Sequence, residues 1–194
     1  MNYFLKQSAK KNVFLILIIP IIIQFVLINL VQSISDERLY YLTFLFFWLL
    51  YLPYFYWLYL AVNFLHSFSN KYFKLKFTNF KISLVINIIS VFNFVFFIAY
   101  MFSFVFNGGR PSDIIFLCVA LIQIVGVISF AYTAYFVSKL ILTIELNKNI
   151  YFSDIVGGLI NFSFPPITLW IIQNKIKKIQ RTNNIPNRSD MYKC

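Results

Sequence analysis

Apolar residues fall into four long blocks along this chain, separated by short polar stretches. The first runs from about Val13 to Ser33 and contains Pro20, Gln24 and Asn29. The second, about Leu39 to Leu65, is crowded with aromatic residues from Phe44 to Tyr59 and carries Pro53, which is expected to kink it. The third spans about Ile82 to Phe106, and the fourth about Ile114 to Ile141. Each block is apolar all round and reaches the roughly 20 residues an α-helix needs to cross a bilayer core. The pattern therefore predicts four membrane spans. The polar stretches read as loops: Asp36-Glu37-Arg38, then His66 to Lys81, then Leu142 to Phe152. Between spans three and four, Asn107-Gly108-Gly109-Arg110-Pro111-Ser112-Asp113 reads as a tight turn, with Ser112 or Asp113 capping the next helix.

A fifth apolar segment, 155–172, breaks the pattern. Gly157, Gly158, Asn161, Pro165 and Pro166 interrupt it, and proline both lacks an N–H and disfavours helix before it. A broken or re-entrant segment is expected, entered through Asp154 as helix N-cap. Beyond it lies a basic tail, 173–194. There Ile172, Ile176 and Ile179 recur on one helical face, while Lys175 and Lys178 take another. A short amphipathic helix at the inner membrane surface would place Lys175, Lys177, Lys178 and Arg181 against anionic headgroups or a partner.

Composition excludes the soluble alternatives. Of 194 residues, 60% are hydrophobic and only 12% charged, too little polar surface to cover a water-facing domain. Disorder requires low hydrophobicity and is excluded as well. Residues 1–194 read as one integral membrane domain, an all-α four-helix transmembrane bundle with a broken fifth segment. The first span follows Lys6, Lys10 and Lys11, but it is too long for a secretory h-region and has no small-residue cleavage site. It is read as uncleaved.

The net charge of +11 acquires meaning from its placement. Lys and Arg near span ends stay on the cytoplasmic side. With a cytoplasmic N-terminus and a fifth segment that crosses, the 17 basic residues split nine inside to eight outside. If that segment returns, they split fifteen to two, with only Arg38 and Arg110 outside. The second arrangement obeys the rule, so four spans with both termini cytoplasmic are expected. The basic residues are scattered over loops and present no nucleic-acid-binding motif, so no direct nucleic-acid contact is expected.

Candidate chemistry is sparse. Spans one to four hold essentially no ionisable groups, apart from Lys139 near the inner end of span four, where it can snorkel. His66 is the only histidine, and no metal, cofactor or catalytic motif is recognisable. Cys118 reads as a small buried hydrophobe and Cys194 as an unpaired thiol. Glu145 is expected to pair with Lys148 or Lys139. Interhelical hydrogen bonds account for Gln24, Asn29, Asn63, Asn87, Asn93, Gln123, Ser129, Thr133 and Asn161. Small residues at Gly126, Ser129 and Thr133, and at Ala131, Ala134 and Ser138, mark span four as the packing helix. Tyr40, Tyr41 and Tyr59 suit the membrane interfaces.

The stretch YFVSKLILTIELNKNIYFSDIVGGLINFSFPPITLWIIQNKIKKI resembles the ending of a family of small, uncharacterised multi-span membrane proteins from Bacteroidetes. Tyr135, Phe136, Val137, Lys139, Glu145, Phe152, Asp154, Pro166, Trp170, Gln173 and Lys175 stand at matching places, while Thr168 and Asn174 replace the family's glycine and proline. Size, four-span layout and Phe/Ile/Asn/Lys bias are also similar to the membrane accessory proteins encoded beside type VI-B CRISPR effectors. The first family implies no known activity. The absence of buried chemistry and a basic cytoplasmic face point to a non-enzymatic accessory or regulatory protein of a bacterial inner (cytoplasmic) membrane, and the second resemblance places that role in anti-phage defence. The expected partners are the bilayer and a cytoplasmic protein, and a homo-oligomer is compatible with the pattern. The alternative is a small channel or transporter built on the broken segment.

Overall fold

The structure, a computed structural model, describes residues 8–34, 37–69, 72–107, 112–156 and 165–183. All regular elements among the described residues are helical. The chain enters helix at α1, Ala9–Val13, where the Ser8 hydroxyl caps the first turn by accepting the Lys11 N–H at 3.2 Å. A π-helical turn, Phe14–Ile18, leads directly into α2, Ile19–Ile34. The π turn has a local cause. Pro20 cannot donate to the carbonyl four residues back and its ring crowds it, and widening the preceding turn absorbs both problems. The Ile19 N–H accordingly donates to the Phe14 carbonyl, five residues back.

Three long helices follow: α3, Glu37–His66; α4, Phe77–Asn107; and α5, Asp113–Leu146. Helix α3 continues unbroken through Pro53. Helix α5 starts after Ser112, whose backbone is extended but whose side chain makes no capping bond. Instead the Ser112 N–H donates to the Tyr100 hydroxyl at 3.1 Å, tying the turn to α4. At its other end α5 outruns the apolar block, ending where Asn147 turns left-handed (φ 48°) and donates its N–H to the Thr143 carbonyl. Its 34 residues make roughly 50 Å of helix, more than a perpendicular crossing needs.

Among the described residues, four stretches are long and apolar enough to cross a membrane: Ala9–Leu30, Phe46–His66, Phe77–Phe102 and Asp113–Leu146. Their outward faces carry Ile21, Phe25, Ile89, Phe96, Leu121 and Ile128, all exposed. In water such a surface would be a large aggregation-prone patch; against hydrocarbon it costs nothing. The last described helix, α6, Pro165–Asn183, is amphipathic instead.

Helices α3, α4 and α5 pack as successive antiparallel neighbours. Between α3 and α4, the Trp48 indole donates to the Ile88 carbonyl at 3.3 Å and meets Phe92 edge-on at 5.1 Å. Between α4 and α5 runs a polar ladder. Ser83 bonds the Ser129 carbonyl (2.7 Å) and the Thr133 hydroxyl (2.7 Å), and Ser129 returns a bond to the Ser83 carbonyl (2.8 Å). The Asn87 amide donates to Thr133 at 3.0 Å. Gln123 donates to the Ser90 carbonyl and to Asn93, and accepts from the Ser90 hydroxyl. Small residues make this closeness feasible: a Cβ built on Gly126 would stand 2.0 Å from the Ser90 hydroxyl oxygen.

The core lies toward one end of the bundle. It joins Trp57, Leu65, Phe80, Phe136 and Leu140 to Ile16 of the π turn and to Leu169, Ile172 and Ile176 of α6. Helix α5 is thus a packing helix mainly in its C-terminal half, since Ile114–Leu117 and Val127–Ile128 are exposed. The polar residues expected to cross-link spans divide likewise. Asn87, Asn93, Gln123, Ser129 and Thr133 do so, but Asn63 is exposed and Asn29 bonds the Phe25 carbonyl of its own helix (2.7 Å). Gln24 leaves its amide nitrogen without a partner among the described residues, and Asn161 lies outside them. Ala131 and Cys118 are exposed rather than packed, because both fall on the outward face of α5.

Candidate functional site

Helix α6 opens on Pro165 and Pro166, the position where a missing N–H costs nothing. Leu169, Ile172 and Ile176 then recur at helical spacing and are completely buried, with Ile179 half-buried beside them. They dock on α1 and on the C-terminal half of α3. The Trp57 indole N–H, fully buried in α3, donates to the Gln173 side-chain oxygen at 3.2 Å. The amphipathic helix foreseen in the tail therefore forms, and starts earlier, at Pro165. Its apolar face is occupied by protein rather than by the membrane surface.

Docking aims the polar face outward. Lys178 is exposed and Lys177 half-buried. The Arg181 side chain lies outside the described residues, as do those of Pro165 and Pro166. Trp170 is also on the outer side and 42% exposed. Lys175 forms an ion pair with Glu145, at the C-terminal end of α5. This replaces the expected partners. Lys139 sits over the Tyr135 ring and donates to its hydroxyl at 3.1 Å, and Lys148 is exposed past the end of the helix.

Asp154 has a different capping role from the one expected. Residues 152–156 are helical, which puts Asp154 at the third helical position and Tyr151 at the cap. Its carboxylate reaches back to the Tyr151 N–H at 3.1 Å, the return half of a capping box. Gly157 and Gly158 lie outside the described residues, and so does the proposed break.

Two cavities flank the Glu145–Lys175 pair. One, about 230 Å³, gathers Glu145, Lys175, Asp154, Thr168 and Ser138 between α5 and α6. The other, about 390 Å³, has an apolar floor including Leu65, Phe68 and Ile144, with Lys175 and Lys178 on its wall. The same end carries Lys10 and Lys11 in α1, and exposed Lys74 and Lys76 in the α3–α4 connection. His66 closes that connection by stacking on Phe77 at 4.9 Å and meeting Phe73 edge-on at 5.9 Å, a packing role. Among the described residues no His, Cys, Asp and Glu side chains cluster as a metal site would require.

Sequence reasoning missed Ser83 and Ser90, whose spacing with Asn87 (i, i+4, i+7) is a polar stripe facing that of span four. It also missed the Trp57–Gln173 bond, which joins residues 116 apart and leaves no local signal. No protein-family model matches this chain, and neither curated proteins nor solved structures contain a match to it.

Proposed function

We propose that this chain is a non-catalytic accessory or regulatory protein of the bacterial inner membrane, with a basic cytoplasmic end that binds an acidic partner. The observation that carries this reading is the docking of α6. Because Leu169, Ile172 and Ile176 are held by the core, Lys177 and Lys178 are offered on a fixed platform rather than a free tail. Preorganisation of that kind lowers the entropy cost of binding. The acidic partner is a cytoplasmic protein or the headgroups of anionic lipid. Similarity in size and residue bias to CRISPR-associated membrane accessory proteins supports placing it in anti-phage defence. A channel or transporter would need a polar path, whereas the polar side chains between α4 and α5 are largely bonded to one another.

The test is charge reversal on the platform, K177E together with K178E, in full-length protein in nanodiscs. Binding to phosphatidylglycerol discs and recovery of cytoplasmic proteins by crosslinking are read in parallel, across a salt series. Loss of either interaction in the variant, steeper at low salt, supports the reading. Wild-type and reversed protein behaving alike in both arms would remove it.

A further inference from the structure

A cavity of about 580 Å³ adjoins the core, lined by residues of α3, α4 and α5 and by Leu17 of the π turn. The basic end does not use it. Its walls are apolar, with Phe47, Phe55, Val91 and Val95 among them, and its lining reaches the outside of the bundle at the exposed Tyr51, Phe94, Val127 and Phe130. The volume suits a small-molecule site, typically about 300 to 1,000 Å³. Those four residues lie within the candidate membrane spans, which gives an occupant a route from the bilayer.

Two atoms of its lining residues are anomalous. The Tyr54 hydroxyl and the Asn87 side-chain oxygen are buried and have no hydrogen-bond partner among the described residues, on side chains only 7% and 4% exposed. Asn87 spends its amide nitrogen on Thr133, so what remains is an acceptor waiting for a donor. Tyr54 can donate or accept. Of the other polar lining residues, Ser90 and Gln123 bond each other and Tyr51 is exposed, so none makes such a demand. Groups left unsatisfied in a low-dielectric setting are costly, and a hydroxyl offers what both lack: a proton for Asn87 and a lone pair for Tyr54. Among the described residues no charged side chain lines the cavity, so an ionised headgroup would find no counter-charge there.

We propose that this cavity binds a neutral lipid bearing a hydroxyl, its hydrocarbon in the apolar crevice and its hydroxyl at Tyr54 and Asn87. Diacylglycerols and isoprenoid alcohols share that chemistry. This proposal is independent of the function assigned to the basic end.

The experiment uses the full chain in phosphatidylcholine nanodiscs. The probe is a hexadecanol with a mid-chain diazirine, compared with its methyl ether, which cannot donate. The alcohol is expected to label peptides containing Phe94 and Val127 about 3- to 10-fold more than the ether. Tyr54→Phe, which keeps the ring packed on Phe55 and Trp57, should bring the alcohol down toward the ether. Val127→Trp, at an exposed residue of the lining, should reduce labelling by both. Competition by unlabelled diacylglycerol or by polyprenol identifies the source. Equal labelling by alcohol and ether, no effect of Tyr54→Phe, or label spread evenly over the outward faces would each overturn the proposal. So would crosslinking of cysteines at Val127 between two copies together with no alcohol labelling, which would give the cavity to a second chain.

Discussion

At the scale of single residues, the interface between α4 and α5 is set by atoms that leave no spare room. Gly126 faces Ser90, and an added Cβ would lie 2.0 Å from its hydroxyl oxygen and 2.6 Å from its Cβ. The hydroxyl can rotate away, but the Cβ is fixed to the backbone, so the helices themselves must part. Gly126→Ala is therefore expected to destabilise by about 1–3 kcal/mol, the usual range for overpacking. Thermal unfolding in detergent would measure it, and adding Ser90→Gly should recover most of the loss. If the single variant is as stable as wild type, the two helices are not this close. The ladder itself is worth less: Thr133→Val should cost about 0.6 kcal/mol, in line with buried membrane hydrogen bonds, since the membrane-inserted unfolded chain also finds partners. The sequence shows that Asn87, Gln123, Ser129 and Thr133 are polar in an apolar helix, and from that their pairing follows. It does not distinguish Asn63 or Cys118, because rotation of an all-round apolar helix is fixed by packing and not by its own pattern.

At the scale of elements, hydropathy locates all four long helices, yet their ends lie further out than the apolar blocks. Polar residues such as Thr78 and Glu145 continue the helix beyond the apolar run, so a hydrophobicity profile stops short of them. Helix α6 shows the opposite difficulty. An isoleucine stripe opposite lysines reads the same whether it meets a membrane surface or a protein groove. Only the groove, built by Trp57, Leu65 and Ile16 from remote parts of the chain, decides between them. The docking predicts an ordering of effects. Ile172→Asp buries an unpaired charge in the core and should release α6, seen as rapid proteolysis between Thr168 and Lys178. Glu145→Gln removes a partly exposed ion pair and should cost at most about 1 kcal/mol, leaving proteolysis nearly unchanged. If Glu145→Gln frees the helix and Ile172→Asp does not, charge rather than packing holds α6 in place.

At the scale of the molecule, the basic residues and the core share one end, and this constrains how the chain sits in a bilayer. The Glu145–Lys175 pair and the packing of α6 on α1 hold the start of the first helix, the end of α5 and the C-terminal helix on the same side. The α3–α4 connection joins them through Phe73, which meets Phe136 edge-on at 5.1 Å. A tail on the opposite face from Glu145 is incompatible with those contacts. What the contacts leave open is which side this is, and there the charge argues. Turning the molecule over would put lysines at positions 10, 11, 74, 76, 148, 175, 177 and 178 outside and leave Arg38 and Arg110 inside, against the retention of basic flanks in the cytoplasm. Single cysteines introduced by Lys74→Cys, Lys148→Cys and Ser112→Cys, in a chain carrying Cys118→Ser and Cys194→Ser, convert this into a measurement. A membrane-impermeant maleimide added to intact cells should reach position 112 alone, and positions 74 and 148 only after permeabilisation. Labelling of 74 and 148 in intact cells would invert the molecule and carry its basic platform away from any cytoplasmic partner. Labelling of 74 and 148 from opposite sides would break the antiparallel packing of α4 on α5, because one lies just before α4 and the other just after α5.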